Sequence, residues 1–142
     1  MEFSKSFDIT KIDQDERKVF GIFSLAKANG ELLVDSEGDT IEPAELEKAA
    51  YEFNLTSRNA GRNHVVKSGI GRLIESFVVT QDKLDMIKAA LEKAGVVDPV
   101  LSPNAEFWFG GFQIDDDDTW ALIKSGDFTS FSIGGFADRH VE

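Results

Sequence analysis

The chain has 142 residues, 42% of them hydrophobic, no cysteine, and a formal net charge of −11. That length is enough for one domain with a real core. The missing cysteines exclude disulfides, thiolate catalysis and cysteine-ligated zinc. The charge argues against nucleic acid and anionic membrane surfaces as partners, because both are bound by clustered lysine and arginine.

In chain order, the N-terminal "MEFSKSFDITKID" lacks the apolar core of a secretion signal. No later run approaches the roughly 20 apolar residues that span a bilayer. "KSFDITKID" and "RKVFGIFSLAK" read as two strands around a turn at Gln14–Glu16. In the second, Val19, Gly21, Phe23 and Leu25 alternate with Phe20 and Ile22, so both faces are apolar. "ANGELLVDSEGDTIEP" is rich in turn formers and reads as a loop. "PAELEKAAYEFNLTS" reads as a helix: Pro43 suits its first position, Glu45 its positive end, and Leu46, Ala49, Ala50 and Phe53 form its apolar stripe.

"RNHVVK" and "GIGRLIESFVV" follow as two strands. Thr80 caps the next helix, "QDKLDMIKAALEKAG", in which Leu84, Ile87 and Leu91 share a face and Gly95 is the stop. "NAEFWFGGFQI" is an aromatic strand with a bulge expected at Gly110 and Gly111. "DDDDTWALIKSG" is a short helix with an acidic start, closed by Gly126. "TSFSIGGF" is the last strand, with Phe131 and Ile133 on one side and Ser130 and Ser132 on the other. The sum is a single α+β domain with about six strands and about three helices, its sheet mixed or largely antiparallel.

Few residues can carry chemistry. A serine beside the bare backbone of Gly134 and Gly135 suits a nucleophile, and equally an edge strand entering a turn. The histidines are His64 and His140. His64 lies far from the serines in sequence, so only tertiary structure can join them; the plainer reading is a strand histidine without a role. Glu75 shares strand parity with Leu73, Phe77 and Val79, and a carboxylate on such a face needs a partner. An imidazole would serve, as would an ion pair with Arg72 or Arg62, or exposure at a sheet edge. "DSEGD" places Asp35, Glu37 and Asp39 alternately but fails the calcium-loop spacing, since Leu46 occupies the position that needs glutamate. Asp115 to Asp118 read as a charged helix start. No metal or other cofactor is expected.

Taken in order, "DSEGDTIEPAELEKAAYEF", the histidine, "GRLIESFVV" and "DDDDTWALIKSGDFTSFSIGGF" resemble the phage prohead maturation serine proteases, in particular the XkdF-type branch. The resemblance covers residues 17–137. It implies a fold similar to the herpesvirus assembly proteases, with a β-barrel-like sheet surrounded by helices. It implies an endopeptidase that works in the host cytoplasm inside the assembling prohead, cleaving scaffold protein, extensions of the major capsid protein, and itself. The serine of the family's S-I-G motif falls on Ser132 rather than Ser130, and the family histidine on His64. Backbone N–H groups of Ile133, Gly134 and Gly135 are then the oxyanion-hole candidates.

The third catalytic member is less determined. Assembly proteases of the herpesvirus type use a second histidine downstream of the serine, and His140 follows Ser132 closely. Many phage relatives continue into a segment with a glutamate in an E-x-S-like block, which is not found here. The expectation is a chain truncated or matured relative to the family, or a third member upstream, for which Glu75 is the choice. Homo-oligomerisation is compatible with the sequence. The alternatives are a non-catalytic capsid-assembly or scaffold-associated module of the same fold, and a metal-dependent hydrolase built on "DSEGD".

Overall fold

A computed structural model describes residues 7–13, 16–34, 38–57, 59–62, 65–132 and 135–138 of the chain. Eight strands and three α-helices follow in the order β1 Phe7–Asp13, β2 Lys18–Ala28, β3 Glu31–Leu32, α1 Pro43–Glu52, β4 Asn59–Arg62, β5 Val65–Val79, α2 Gln81–Lys93, β6 Ala105–Ile114, α3 Asp117–Ser125, β7 Phe128–Ser132 and β8 Gly135–Asp138. The class is mixed α+β, as expected. Among the described residues the strands number eight rather than about six, for local reasons. "RNHVVK" and "GIGRLIESFVV" do not divide at Lys67–Gly69: Val65–Val79 is one strand, preceded by β4. The stretch read as the last strand belongs to two antiparallel strands, β7 and β8. The loop after β2 contains the two-residue β3.

The strand order is β1-β7-β8-β4-β5-β6-β2-β3, and β1 pairs with β2 as well as with β7. Four antiparallel strands, β1-β2-β6-β5, carry the long ladders. Helix ends follow the local chemistry anticipated for them. The Glu42 N–H donates to Glu45 Oε1 at 3.2 Å just before Pro43. The Lys83 N–H donates to Thr80 Oγ1 at 3.3 Å. Asp116 caps α3 by accepting from the Thr119 N–H at 2.9 Å and from its hydroxyl at 2.7 Å. Gly95 and Gly126 take φ of +100° and +86° past the ends of α2 and α3, left-handed conformations that favour glycine. After Glu52, α1 widens into one π-helical turn, Phe53–Ser57.

The core lies between one face of β2, β6 and β5 and the inner sides of α1 and α3. It contains Val19, Phe23, Leu46, Ala50, Ile70, Val78, Trp108, Phe112, Trp120 and Ile123. The Phe23 ring stacks on Phe112 and meets Trp108 edge-on, both with centroids 5.2 Å apart. The π-helical turn brings Phe53 edge-on to Trp108, at 5.6 Å. Trp108 is 1% exposed, and its indole N–H donates to Ser76 Oγ at 2.8 Å, so the buried donor is satisfied.

The glycine pair Gly110–Gly111 is not itself bulged. The irregularities sit in the partner strands, between Ile22 and Ser24 in β2 and between Leu73 and Glu75 in β5. The glycines serve close approach instead. A Cβ on Gly110 would lie 2.5 Å from the Phe23 ring and 2.7 Å from the Glu75 carbonyl oxygen. On Gly111 it would lie 2.5 Å from the Phe20 ring. The β2 irregularity also breaks the alternation read from sequence: Ser24 and Ala26, rather than Leu25, continue the buried side.

Candidate active site

The strand carrying Ser132 is positioned by α3, which precedes it. Trp120 and Ile123 anchor that helix from within, at 6% and 2% exposure. Its start is held from two sides. Arg72 of β5 grips Asp115 through two hydrogen bonds of 2.9 Å, and Arg17 pairs with Asp117 at 2.8 Å. The N–H groups of Asp115 and Asp116 both donate to the Ile70 carbonyl, at 2.8 and 3.1 Å. The acidic run is thus spent on capping and on two arginines, which is why it reads as a helix start. Gly126 then turns the chain into β7.

In β7, Ser130 lies opposite Ala137 and Asp8, while Ser132 lies opposite Gly135. Phe131 lies opposite Phe136, and Phe136 lies opposite Arg62 of β4 in parallel register. Arg62 in turn lies opposite Val65 of β5. One row therefore crosses four strands: Phe131, Phe136, Arg62, Val65. Ser132 is one residue from this row. His64 is in sequence between Arg62 and Val65, which both occupy it. His64, Ile133, Gly134 and His140 themselves lie outside the described residues, as do Asp35 and Glu37 of the "DSEGD" loop. At about 4.8 Å per strand, Phe131 and Arg62 are separated by roughly 10 Å.

Glu75 is exposed and has no ion pair among the described residues. The burial cost that called for a partner does not arise. The alternation argument fails at this point because the irregularity at Ile74 falls between Leu73 and Glu75. Arg72, a candidate partner, is engaged by Asp115. The pairings of β5 with β4 and β6 set Glu75 five rows from Val65, roughly 17 Å at the usual rise.

A second cluster, which the sequence reading missed, fixes α2 to α1 and β5. The Lys83 ammonium donates to the Val78 carbonyl at 2.8 Å and pairs with Glu47 at 2.6 Å. It also stands 5.1 Å from the ring centres of both Tyr51 and Phe77. The Tyr51 hydroxyl donates to Glu47 at 2.8 Å. The hydrogen bond from Lys83 holds the Glu47 carboxyl below its ordinary 4.5, with Tyr51 adding to the effect against partial burial. Burial pulls Lys83 down, but the hydrogen bonds with Glu47 and Tyr51 outweigh it and leave it above 10.5. A lysine so held stays protonated and is no general base. The spacing of Glu47, Tyr51 and Lys83 along two helices was visible in sequence, but nothing there said that α1 and α2 meet.

A surface hollow of about 510 Å³ beside α3 is lined by Arg17, Asp117, Trp120, Ala121, Lys124 and Ser125. It contains none of the predicted catalytic residues. Among the described residues, no group of three or more His, Cys, Asp or Glu could hold a metal, and no helix is long and apolar enough to cross a membrane.

Comparison with known proteins decides the family. The model of the family described as "Putative phage serine protease XkdF" matches residues 6–141. The chain belongs to this family. It is 31% identical over 134 residues to the phage-like element PBSX protein XkdF of Bacillus subtilis (strain 168), covering 94% of this chain and 42% of that protein. It is 30% identical over 138 residues to the uncharacterized protein YqbD of the same strain, covering 96% of this chain and 37% of that protein. The chain thus spans less than half the length of these two relatives. No solved structure matches it. Membership in the XkdF family agrees with the resemblance read from the sequence.

Proposed function

We propose that this domain is a serine endopeptidase of phage prohead maturation, with Ser132 as nucleophile and His64 as general base. The observation that carries the reading is the row Phe131–Phe136–Arg62–Val65, which runs from the end of β7 across β8 to β4 and β5, the two strands that flank His64 in the chain. Family membership supports the reaction class. His64 would take the proton of the Ser132 hydroxyl as its oxygen attacks the scissile carbonyl, then return that proton to the leaving amine. Water would then release the acyl group from Ser132 by the same proton path in reverse. Backbone N–H groups at Ile133, Gly134 and Gly135 are the proposed oxyanion donors. The reading rests on the pair Ser132 and His64.

The substrates proposed are scaffold protein, extensions of the major capsid protein, and the protease itself, inside the prohead. A barrel-like sheet belongs to the same proposal, and what supports it is that β1 pairs with β7 on one edge and β2 on the other. The test is to incubate the protein with the scaffold and major capsid proteins of the phage element that encodes it, beside Ser132→Ala. Cleavage by the parent alone is expected. Cleavage that survives the substitution removes Ser132 as nucleophile, and no cleavage by either favours a binding module without turnover.

A further inference from the structure

The helix α2 is attached to the body along one side only. Leu84 is its one buried residue, at 8% exposure, with Ile87 and Leu91 half-buried beside it. Lys83 pins the same side to Glu47 and to the Val78 carbonyl. The opposite side faces solvent. Asp82, Met86, Ala89 and Lys93 are all exposed and follow one another at helical spacing, so they form a single stripe about 16 Å long. Met86 is 66% exposed, and just beyond the helix Val97 and Val100 are 83% and 87% exposed. Neither Asp82 nor Lys93 has a salt-bridge partner among the described residues.

This stripe is complementary to itself when reversed. Asp82 and Lys93 are equally far from the midpoint between Met86 and Ala89. Laid antiparallel on a copy of itself about a two-fold axis through that midpoint, the stripe sets each Asp82 against the copy's Lys93 and each Met86 against the copy's Ala89. Acid meets base and large meets small, twice, as an isologous interface requires. The two helix dipoles also run head to tail, which is favourable.

We propose that the outer face of α2 is a self-association surface, by which two copies of this chain pair through antiparallel α2 helices. The occupant is a second copy because the charge order matches its own reverse. One helix face is smaller than the roughly 800 Å² per partner of a standard interface, so the association is weak and concentration-dependent. It does not depend on the protease reading.

The test is sedimentation velocity of the full chain over a concentration series of about 10 μM to 1 mM, beside Asp82→Lys and Lys93→Glu. The parent is expected to pass from monomer to dimer across the series. Each single reversal turns two attractions into two repulsions and should weaken the dimer about tenfold or more. An equimolar mixture of the two variants should associate more tightly than either alone, since each then meets its opposite charge. Both positions are exposed, so circular dichroism should be unchanged; each reversal sets a charge against the dipole at its end of α2, so a small drop in the unfolding midpoint is expected for both. A parent that remains monomeric throughout overturns the proposal. So does self-association that neither reversal weakens, or a mixture that behaves as the sum of its parts.

Discussion

Arg62 of β4 and Phe136 of β8 lie opposite one another in parallel register, and this pairing ties the strand that follows Ser132 to the strand pair that flanks His64 in the chain. Residues 74 positions apart in the sequence are thereby set on adjacent strands. The α3 helix fixes one side of that joint, through Arg72–Asp115 and Arg17–Asp117, and the β4–β5 ladder fixes the other.

The first prediction separates the serines and the acids. Ser132→Ala should abolish cleavage. His64→Ala should lower it by about 10²- to 10⁴-fold, the usual worth of general acid–base help. Ser130→Ala and Glu75→Gln should stay within about tenfold of the parent, because Glu75 lies five rows from Val65. Initial rates on the same capsid or scaffold substrate check all four.

The glycine pair makes a stability prediction. Gly110→Ala forces a methyl against both the Phe23 ring and the Glu75 carbonyl oxygen, and a backbone atom cannot swing aside. We expect a cost of about 3 kcal/mol, at the upper end for overpacking. Gly111→Ala meets the Phe20 ring at 2.5 Å and the Val19 carbonyl oxygen at a looser 3.1 Å, so it should cost less, about 1–2 kcal/mol. Thermal unfolding should rank the two midpoints below the parent in that order.

Ser76 tests the buried indole. Ser76→Ala leaves the Trp108 N–H, at 1% exposure, without its acceptor, at a cost of about 1–3 kcal/mol. In Trp108→Phe the donor is gone, so adding Ser76→Ala should cost much less. Urea unfolding of the four members of this cycle should give clear non-additivity.

The Lys83 cluster predicts a pH dependence. Glu47 is held below 4.5 in the folded chain, so its contribution is full above that value and fades as the pH falls through the lower folded value. Lys83 is held above 10.5, so its contribution is full below 10.5 and fades as the pH rises through the higher folded value. Lys83→Met should therefore be destabilising, by about 1 kcal/mol, near neutrality. Its difference from the parent should shrink in acid below pH 4.5 and in base above 10.5. Urea midpoints measured across pH check both limbs.

What the sequence disclosed was mostly local chemistry. Pro43 with Glu45, Thr80, Asp116 and Gly126 mark helix ends because capping is settled within a few residues. Gly110 and Gly111 were visible as special positions, but their reason was not. The rings of Phe20 and Phe23 that need the space come from a strand some ninety positions earlier. Lys67–Gly69 has turn composition yet lies within one long strand, Val65–Val79, at the irregularity where the pairing of β4 passes from Val66 to Gly71. The face of Glu75 was misjudged because parity does not survive an irregularity, and the irregularity depends on the partner strand. The residues singled out the serines of β7 and His64 as candidates, but the choice of Ser132 and its joining to His64 came from resemblance, since a pair joined only by tertiary structure leaves no spacing signal.

The most direct test of the central claim is covalent labelling with a fluorophosphonate, followed by peptide mapping. An activated serine oxygen attacks the phosphorus and fluoride leaves, with the proton going to the base. One phosphonyl adduct on Ser132, lost in Ser132→Ala and slowed at least a hundredfold in His64→Ala, is the predicted result. An adduct on another residue, or labelling of Ser132 at a rate indifferent to His64, would contradict the account.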